Sequence, residues 1–89
     1  MISKKIEIRN SIGLHARPAV MIASEASKYR SQILLRHGDF LVNAKSSVRV
    51  LAMAVNCGET IELVVAGEDE SMAFEKLSTI LDTINEMDI

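Results

Sequence analysis

A histidine, an arginine and a proline stand within four residues of one another in Gly13-Leu14-His15-Ala16-Arg17-Pro18-Ala19. The segment leads from a glycine-containing turn into helical spacing, which puts His15 at a helix start. The first N–H groups of a helix have no intrahelical partner and, with the positive end of the dipole, make a place for an anion. Arg17 adds a permanent charge whose forked donors match phosphate geometry. Pro18 fixes its own φ and suits a first turn, where a missing N–H costs little. Gly13 is expected to keep side-chain bulk out of the way of an incoming group. A neutral imidazole keeps a free lone pair and is a nucleophile. Helix N–H groups and Arg17 would stabilise the charge on a transferring phosphoryl group. The residues alone thus suggest phosphoryl capture on His15. A plain capping histidine followed by a solvated arginine fits them too, and both readings stay open at this level.

The elements that must position this segment are legible in the hydropathy pattern. Residues 2–8 alternate, with Ile2, Ile6 and Ile8 on one face, and predict a half-buried strand. Asn10-Ser11-Ile12-Gly13 is a turn signal. Ala16, Ala19, Val20, Ala23 and Ala26 then recur at helical spacing and predict one buried face. Gln32–Arg36 and Phe40–Ala44 flank His37-Gly38-Asp39 and predict a hairpin with a loop of about three residues. Val48, Leu51, Ala52 and Val55 predict a short second helix, capped by Ser46 or Ser47 and closed by Asn56-Cys57-Gly58. Thr60–Ala66 predicts a fourth strand with Ile61, Leu63 and Val65 inward. Gly67-Glu68-Asp69-Glu70 opens a last helix whose buried stripe is Phe74, Leu77, Leu81 and Ile84, its acidic residues suiting the positive helix end. The order is βαββαβα, an α+β open-faced sandwich: a four-stranded antiparallel sheet with three helices on one face. Ser3, Lys5, Glu7, Thr60, Glu62 and Val64 belong on the bare face.

Composition bounds the function. Eighty-nine residues predict a single domain, 1–89, with one thin core and no deep enclosed pocket. Aromatics are 3% and the net charge is −2, which argues against a nucleic-acid surface. One cysteine, Cys57, excludes a disulfide framework and a cysteine-rich zinc site, and is expected as a partly buried thiol before a turn. No His/Asp/Glu cluster has metal-ligand spacing. No apolar run reaches membrane-span length, and Glu7 and Arg9 break any signal-peptide core, so a cytoplasmic location without membrane insertion is expected.

The segment around His15 resembles the active-site motif of HPr, the histidine-containing phosphocarrier family of the phosphoenolpyruvate-dependent phosphotransferase system. The resemblance covers essentially the whole chain. It includes the element order, Lys45-Ser46 before a short apolar helix, and Ala66-Gly67-Glu68-Asp69-Glu70 before the last one. It implies a carrier rather than a turnover enzyme. Enzyme I would pass a phosphoryl group to His15, at Nδ1 in this family, and His15 would pass it to an enzyme IIA domain of the sugar system. Arg17 matches the family arginine that contacts the phosphoryl group. No metal or organic cofactor is implied. Partners would dock around His15 on Ala16, Val20, Ser47, Val48 and Ala52, with Arg17, Lys45 and Arg49 as the positive rim. Leu51 is expected in the core. A carrier that must show His15 to alternating partners is most simply a monomer.

Ser46 matches a serine that an HPr kinase/phosphorylase modifies in many bacteria. A phosphate there would repel acidic groups on enzyme I and spoil the apolar patch, although a plain N-cap serine explains the residue equally well. Kinase-regulated carriers usually continue with large aliphatic residues and often a glycine, whereas this chain has Ser47, Val48 and Arg49. Arg9-Asn10 and Leu34-Leu35-Arg36 resemble the nitrogen-related (NPr) branch, which feeds regulatory acceptors. A more remote alternative is a non-catalytic small-ligand-binding α+β module.

Overall fold

The computed structural model describes residues 1–87; the last two positions of the expected domain lie outside the described residues. Seven elements follow the expected order: β1 (Ile2–Glu7), α1 (Ala16–Ala26), β2 (Gln32–His37), β3 (Phe40–Asn43), α2 (Ser47–Ala52), β4 (Thr60–Ala66) and α3 (Glu70–Glu86). The strands form one antiparallel sheet in the order β1-β4-β2-β3. Register places Ile6 opposite Ile61 and Leu35 opposite Leu63, so the apolar sets of β1, β4 and β2 share one face.

That face meets the helices. Ile33, Leu35, Leu63 and Val65 are fully buried, as are Ile22 of α1 and Leu77, Leu81 and Ile84 of α3. Burying each such side chain contributes about 1.5–3 kcal/mol. The opposite sheet face carries Ser3, Lys5 and Glu7 and an Arg36–Glu62 ion pair of 3.4 Å.

Three helix stripes differ from the periodicity reading. In α1 the buried residues are Pro18, Ala19, Ile22, Ala23 and Ala26, while Ala16 and Val20 are exposed. In α2 only Val50 is buried, because a six-residue helix presents little more than one side chain inward. The core contacts next to it come from Met53 and Val55, just past the helix end. In α3 Ala73, rather than Phe74, is fully buried. The hairpin loop is also tighter than expected. His37 pairs with Phe40, leaving Gly38-Asp39 as a two-residue turn. Gly38 has φ +59 at the first central position, as a type II′ turn requires.

The connection after α2 is strained at one place. Ala54 sits at φ +52, a left-handed conformation costing an L-residue roughly 1–2 kcal/mol. The turn it makes sends Val55 and Asn56 under the segment that carries His15.

Candidate functional site

The segment before His15 is pinned from three directions. Asn10 is buried to 1% exposure, and its side chain makes three bonds. Nδ2 donates to the Ile84 carbonyl at 3.0 Å and the Met87 carbonyl at 3.3 Å, and Oδ1 accepts from the Ile12 N–H at 3.0 Å. The Gly13 N–H closes the turn onto the Asn10 carbonyl at 2.9 Å. The Leu14 N–H donates to the Val55 carbonyl at 3.0 Å, and the Leu14 side chain is buried. The turn is thus tied to the end of α3 and to the chain after α2. Its asparagine type is a turn signal in the sequence, but its long-range bonds have no local one.

Gly13 has a different role from the one expected. Its φ is +79, and a Cβ there would lie 2.3 Å from the Val55 carbonyl oxygen and 2.9 Å from Asn56 Cα. The missing side chain admits the neighbouring backbone, not an incoming group.

His15 is the N-cap of α1, with extended backbone (φ −85, ψ −168) and a carbonyl that accepts the Ala19 N–H at 3.0 Å. Its side chain makes no capping bond. The ring is half-buried, with Nε2 enclosed and without a partner. Behind it, Pro18 and Ala19 are buried and lock the first turn to the core. Pro18 has no N–H, so the first-turn amides left without intrahelical acceptors are those of Ala16 and Arg17. Arg17 is exposed and enters no ion pair among the described residues. Two amides and a free guanidinium at one helix start can hold the oxygens of a transferred anion.

Beside this helix start runs a shallow apolar groove of about 150 Å³ between α1 and α2, lined by Ala16, Ala19, Val20, Ser47, Val48 and Leu51. Val20 is 54% exposed, Val48 74% and Leu51 45%, so uncovered aliphatic surface is concentrated here. The structure brings together Ala16, Val20, Ser47 and Val48 of the expected docking residues and adds Ala19 and Leu51. Leu51, expected in the core, faces the groove, because Val50 takes the single inward position of α2. Lys45, Arg49 and Ala52 do not line the groove. Lys45 is half-buried and donates its ammonium to the Tyr29 carbonyl at 2.8 Å, beyond the far end of α1. Ala52 is exposed on α2, and Arg49 lines a separate cleft with Leu41, Val42, Asn43 and Ser46. Ser46 is the N-cap of α2, its Oγ accepting the Arg49 N–H at 3.3 Å.

The remaining reactive side chains have structural partners. His37 places Nδ1 3.0 Å from the Met53 carbonyl and Nε2 3.4 Å from a Glu59 carboxylate oxygen, joining β2 to the chain after α2. Cys57 is exposed rather than partly buried, its Sγ donating weakly to the Arg9 carbonyl at 3.7 Å. Among the described residues no group of His, Cys, Asp or Glu could hold a metal ion, and no helix is long and apolar enough to cross a membrane. The strongly perturbed groups lie away from His15. The Tyr29 hydroxyl donates to Glu25 and is pushed up to about 12, and that bond lowers Glu25 in turn. Asp69 is drawn down to about 2 by the Ser31 hydroxyl and the Arg30 and Ser31 amides that bond it. It crosses to the α1–β2 connection and makes no side-chain cap on α3.

The fold and site define a class: an open-faced α+β sandwich that displays a histidine at the first helix start, beside an uncovered apolar groove. A family model described as the PTS HPr component phosphorylation site matches residues 2–83. The phosphocarrier protein HPr of Treponema pallidum (strain Nichols) is 42% identical over 80 residues, spanning 90% of this chain and 91% of its own. The HPr-like protein Crh of Bacillus subtilis (strain 168) is 40% identical over 78 residues, spanning 88% of this chain and 92% of its own. The crystal structure of HPr-C-His from Thermoanaerobacter tengcongensis matches with a TM-score of 0.91 at 35% identity, covering 100% of both chains. The chain belongs to the HPr family of phosphotransferase-system phosphocarriers.

Proposed function

We propose that the protein is a single-domain phosphocarrier that takes a phosphoryl group from phospho-enzyme I on His15 Nδ1 and delivers it to an enzyme IIA domain. The observation that carries this reading is the state of the His15 ring. It stands at a helix start without any structural bond, and Nε2 is enclosed. An incoming phosphorus therefore has access only through the other nitrogen. For Nδ1 to attack, the ring proton sits on Nε2. The N–P bond forms as the donor's bond to phosphorus breaks, and the acceptor reverses the exchange and frees the ring. The Ala16 and Arg17 amides and the Arg17 guanidinium stabilise the charge of the group in flight. The open groove gives donor and acceptor the same apolar foothold in turn. This is carrier behaviour rather than turnover: the surface-held histidine needs no cofactor, and the relay belongs in the cytoplasm with its partners.

The test is incubation with phosphoenolpyruvate and enzyme I, read by intact mass at neutral pH. One acid-labile phosphate is expected, and none on His15→Ala. An unmodified protein in the presence of a competent enzyme I from the same organism would sink the reading.

The sugar branch is the working assignment, and a regulatory carrier of the nitrogen-related kind is the alternative. The similarity to proteins named Crh, at 40% and 35% identity, favours keeping a regulatory role in view, with Ser46 as the modification position. Transfer from the phosphorylated protein to a sugar-specific enzyme IIA, compared with a nitrogen-type one, separates the two branches by which acceptor is labelled.

A further inference from the structure

Two concavities flank the start of α2, and they divide its residues cleanly. The apolar groove beside His15 takes Ser47, Val48 and Leu51. A larger cleft of about 370 Å³ on the other side, against β3, takes Ser46 and Arg49 together with Leu41, Val42 and Asn43. The serine read as a modification position therefore does not lie on the docking groove. Among the residues lining its cleft, Arg49 is the one charged side chain and no carboxylate is present. Arg49 is exposed and enters no ion pair among the described residues. It stands three residues from Ser46, on the adjoining helical turn, with its N–H already on Ser46 Oγ at 3.3 Å. Residues at that spacing are neighbours on a helix surface. Asn43 accepts the Lys45 N–H through Oδ1 at 2.9 Å, which leaves its amide N–H2 group as a further donor.

We propose that Arg49 is the built-in counter-charge for a phosphate on Ser46, holding it in the cleft beside β3 and off the apolar groove next to His15. The inference rests on the reading of Ser46 as a modification position. In that modification Ser46 Oγ bonds to the γ-phosphorus of a nucleoside triphosphate, the bond to the leaving diphosphate breaks, and the hydroxyl proton passes to the kinase or solvent. The product carries about −1.5 to −2 charge and three acceptor oxygens. The planar guanidinium meets such a group with two parallel donors. This side chain and the cleft hold the group, without recourse to the amides of the six-residue helix. Its consequence differs from simple blocking. A phosphate paired with Arg49 leaves Val48 and Leu51 uncovered, so it slows docking at His15 less than an unpaired phosphate does.

Phosphoserine installed at position 46 during translation tests this without a kinase. Its second ionisation is followed by ³¹P NMR in the parent chain and in Arg49→Met, which keeps the apolar stem. The midpoint is expected about one unit lower with arginine present, a roughly tenfold difference in proton affinity. The rate of transfer from enzyme I to His15 is then taken as the ratio of Ser46-phosphorylated to unmodified protein within each variant. That ratio should fall further in Arg49→Met. Equal midpoints in the two proteins, or a ratio that rises in Arg49→Met, would overturn the proposal. The titration does not depend on the relay. A chain that never accepts phosphate on His15 loses the carrier reading while the pairing stands, and equal midpoints remove the pairing while the carrier reading stands.

Discussion

The starts of α1 and α2 occupy equivalent places in two helices, and their cap residues do opposite things. Ser46 gives its side chain to the helix, accepting the Arg49 N–H at 3.3 Å. His15 holds the same position with extended backbone and gives its side chain to nothing, while Nε2 is enclosed without a partner. Local stability favours the first arrangement, since a serine cap contributes about 1 kcal/mol and an unsatisfied enclosed polar atom costs roughly 1–3 kcal/mol. α1 therefore lacks a side-chain cap, and its start is held instead by what surrounds it. Leu14 is tied to Val55, Pro18 and Ala19 are buried, and Asn10 anchors the preceding turn to α3. A cap residue that gives its side chain to nothing leaves the backbone to be fixed by other residues.

That contrast can be broken at its supports. The largest loss of stability is expected for Gly13→Ala, which forces a Cβ to 2.3 Å from the Val55 carbonyl oxygen at a φ of +79. Overpacking and the left-handed backbone together should cost roughly 2–4 kcal/mol in urea unfolding. A loss under about 0.5 kcal/mol would show that the turn relaxes freely and does not fix His15.

Asn10→Ala should come next, at roughly 2–3 kcal/mol, because it removes the side-chain bonds to the Ile84 and Met87 carbonyls at the end of α3 and to the Ile12 amide in the turn. If His15 depends on this anchor, phosphate incorporation also slows under conditions where the variant is fully folded. Unchanged incorporation at reduced stability would confine Asn10 to the fold.

Paired substitutions at the two caps separate their roles. Ser46→Ala should cost about 1 kcal/mol. His15→Ala should cost nothing measurable or stabilise slightly, since it removes an enclosed atom with no partner. A loss at His15 equal to that at Ser46 would mean that the imidazole has a capping role after all.

The third helix start adds a pH dependence, the smallest of these effects. Asp69 is drawn down to about 2 from an ordinary 3.8 by its bonds to Ser31 and Arg30. A carboxyl lowered in the folded state binds its proton more readily when the chain unfolds. Its stabilising contribution is therefore complete above the ordinary value and disappears as pH falls from about 4 towards 2. Thermal unfolding followed across that window should decline less steeply in Asp69→Asn than in the parent chain. Parallel slopes would assign the acid sensitivity to other lowered carboxyls, such as Glu25 and Glu70.

Legibility in the sequence varied with the length of the element. The clean alternation of Ile61, Leu63 and Val65 predicts β4 with its observed bounds, Thr60–Ala66. Pro18 in a first turn predicts that α1 begins near His15 or Ala16, and His15 is the N-cap. The short helix α2 departs from its periodicity. Over so short a span Val48-Leu51-Ala52 and the observed Val50-Met53 are equally good periodic patterns, and only packing against α1 and the sheet decides between them. Leu51, expected in the core, therefore lines the groove; independently, Lys45, expected at the rim, bonds the Tyr29 carbonyl. Asn10 and Gly13 were noticed for turn chemistry, but their partners, Ile84, Met87 and Val55, lie more than forty positions away along the chain.

The amino-acid sequence alone specifies the element order, the open-faced α+β class and a histidine at a helix start. Those follow from local properties: hydropathy period, turn residues, and the coincidence of histidine, arginine and proline at a helix start. Tertiary structure alone decided which nitrogen of His15 is enclosed, why Gly13 must lack a side chain, and that Ser46 and Ser47 face different concavities. Each of these depends on backbone from distant segments coming within contact distance, and no local pattern encodes where that backbone will lie.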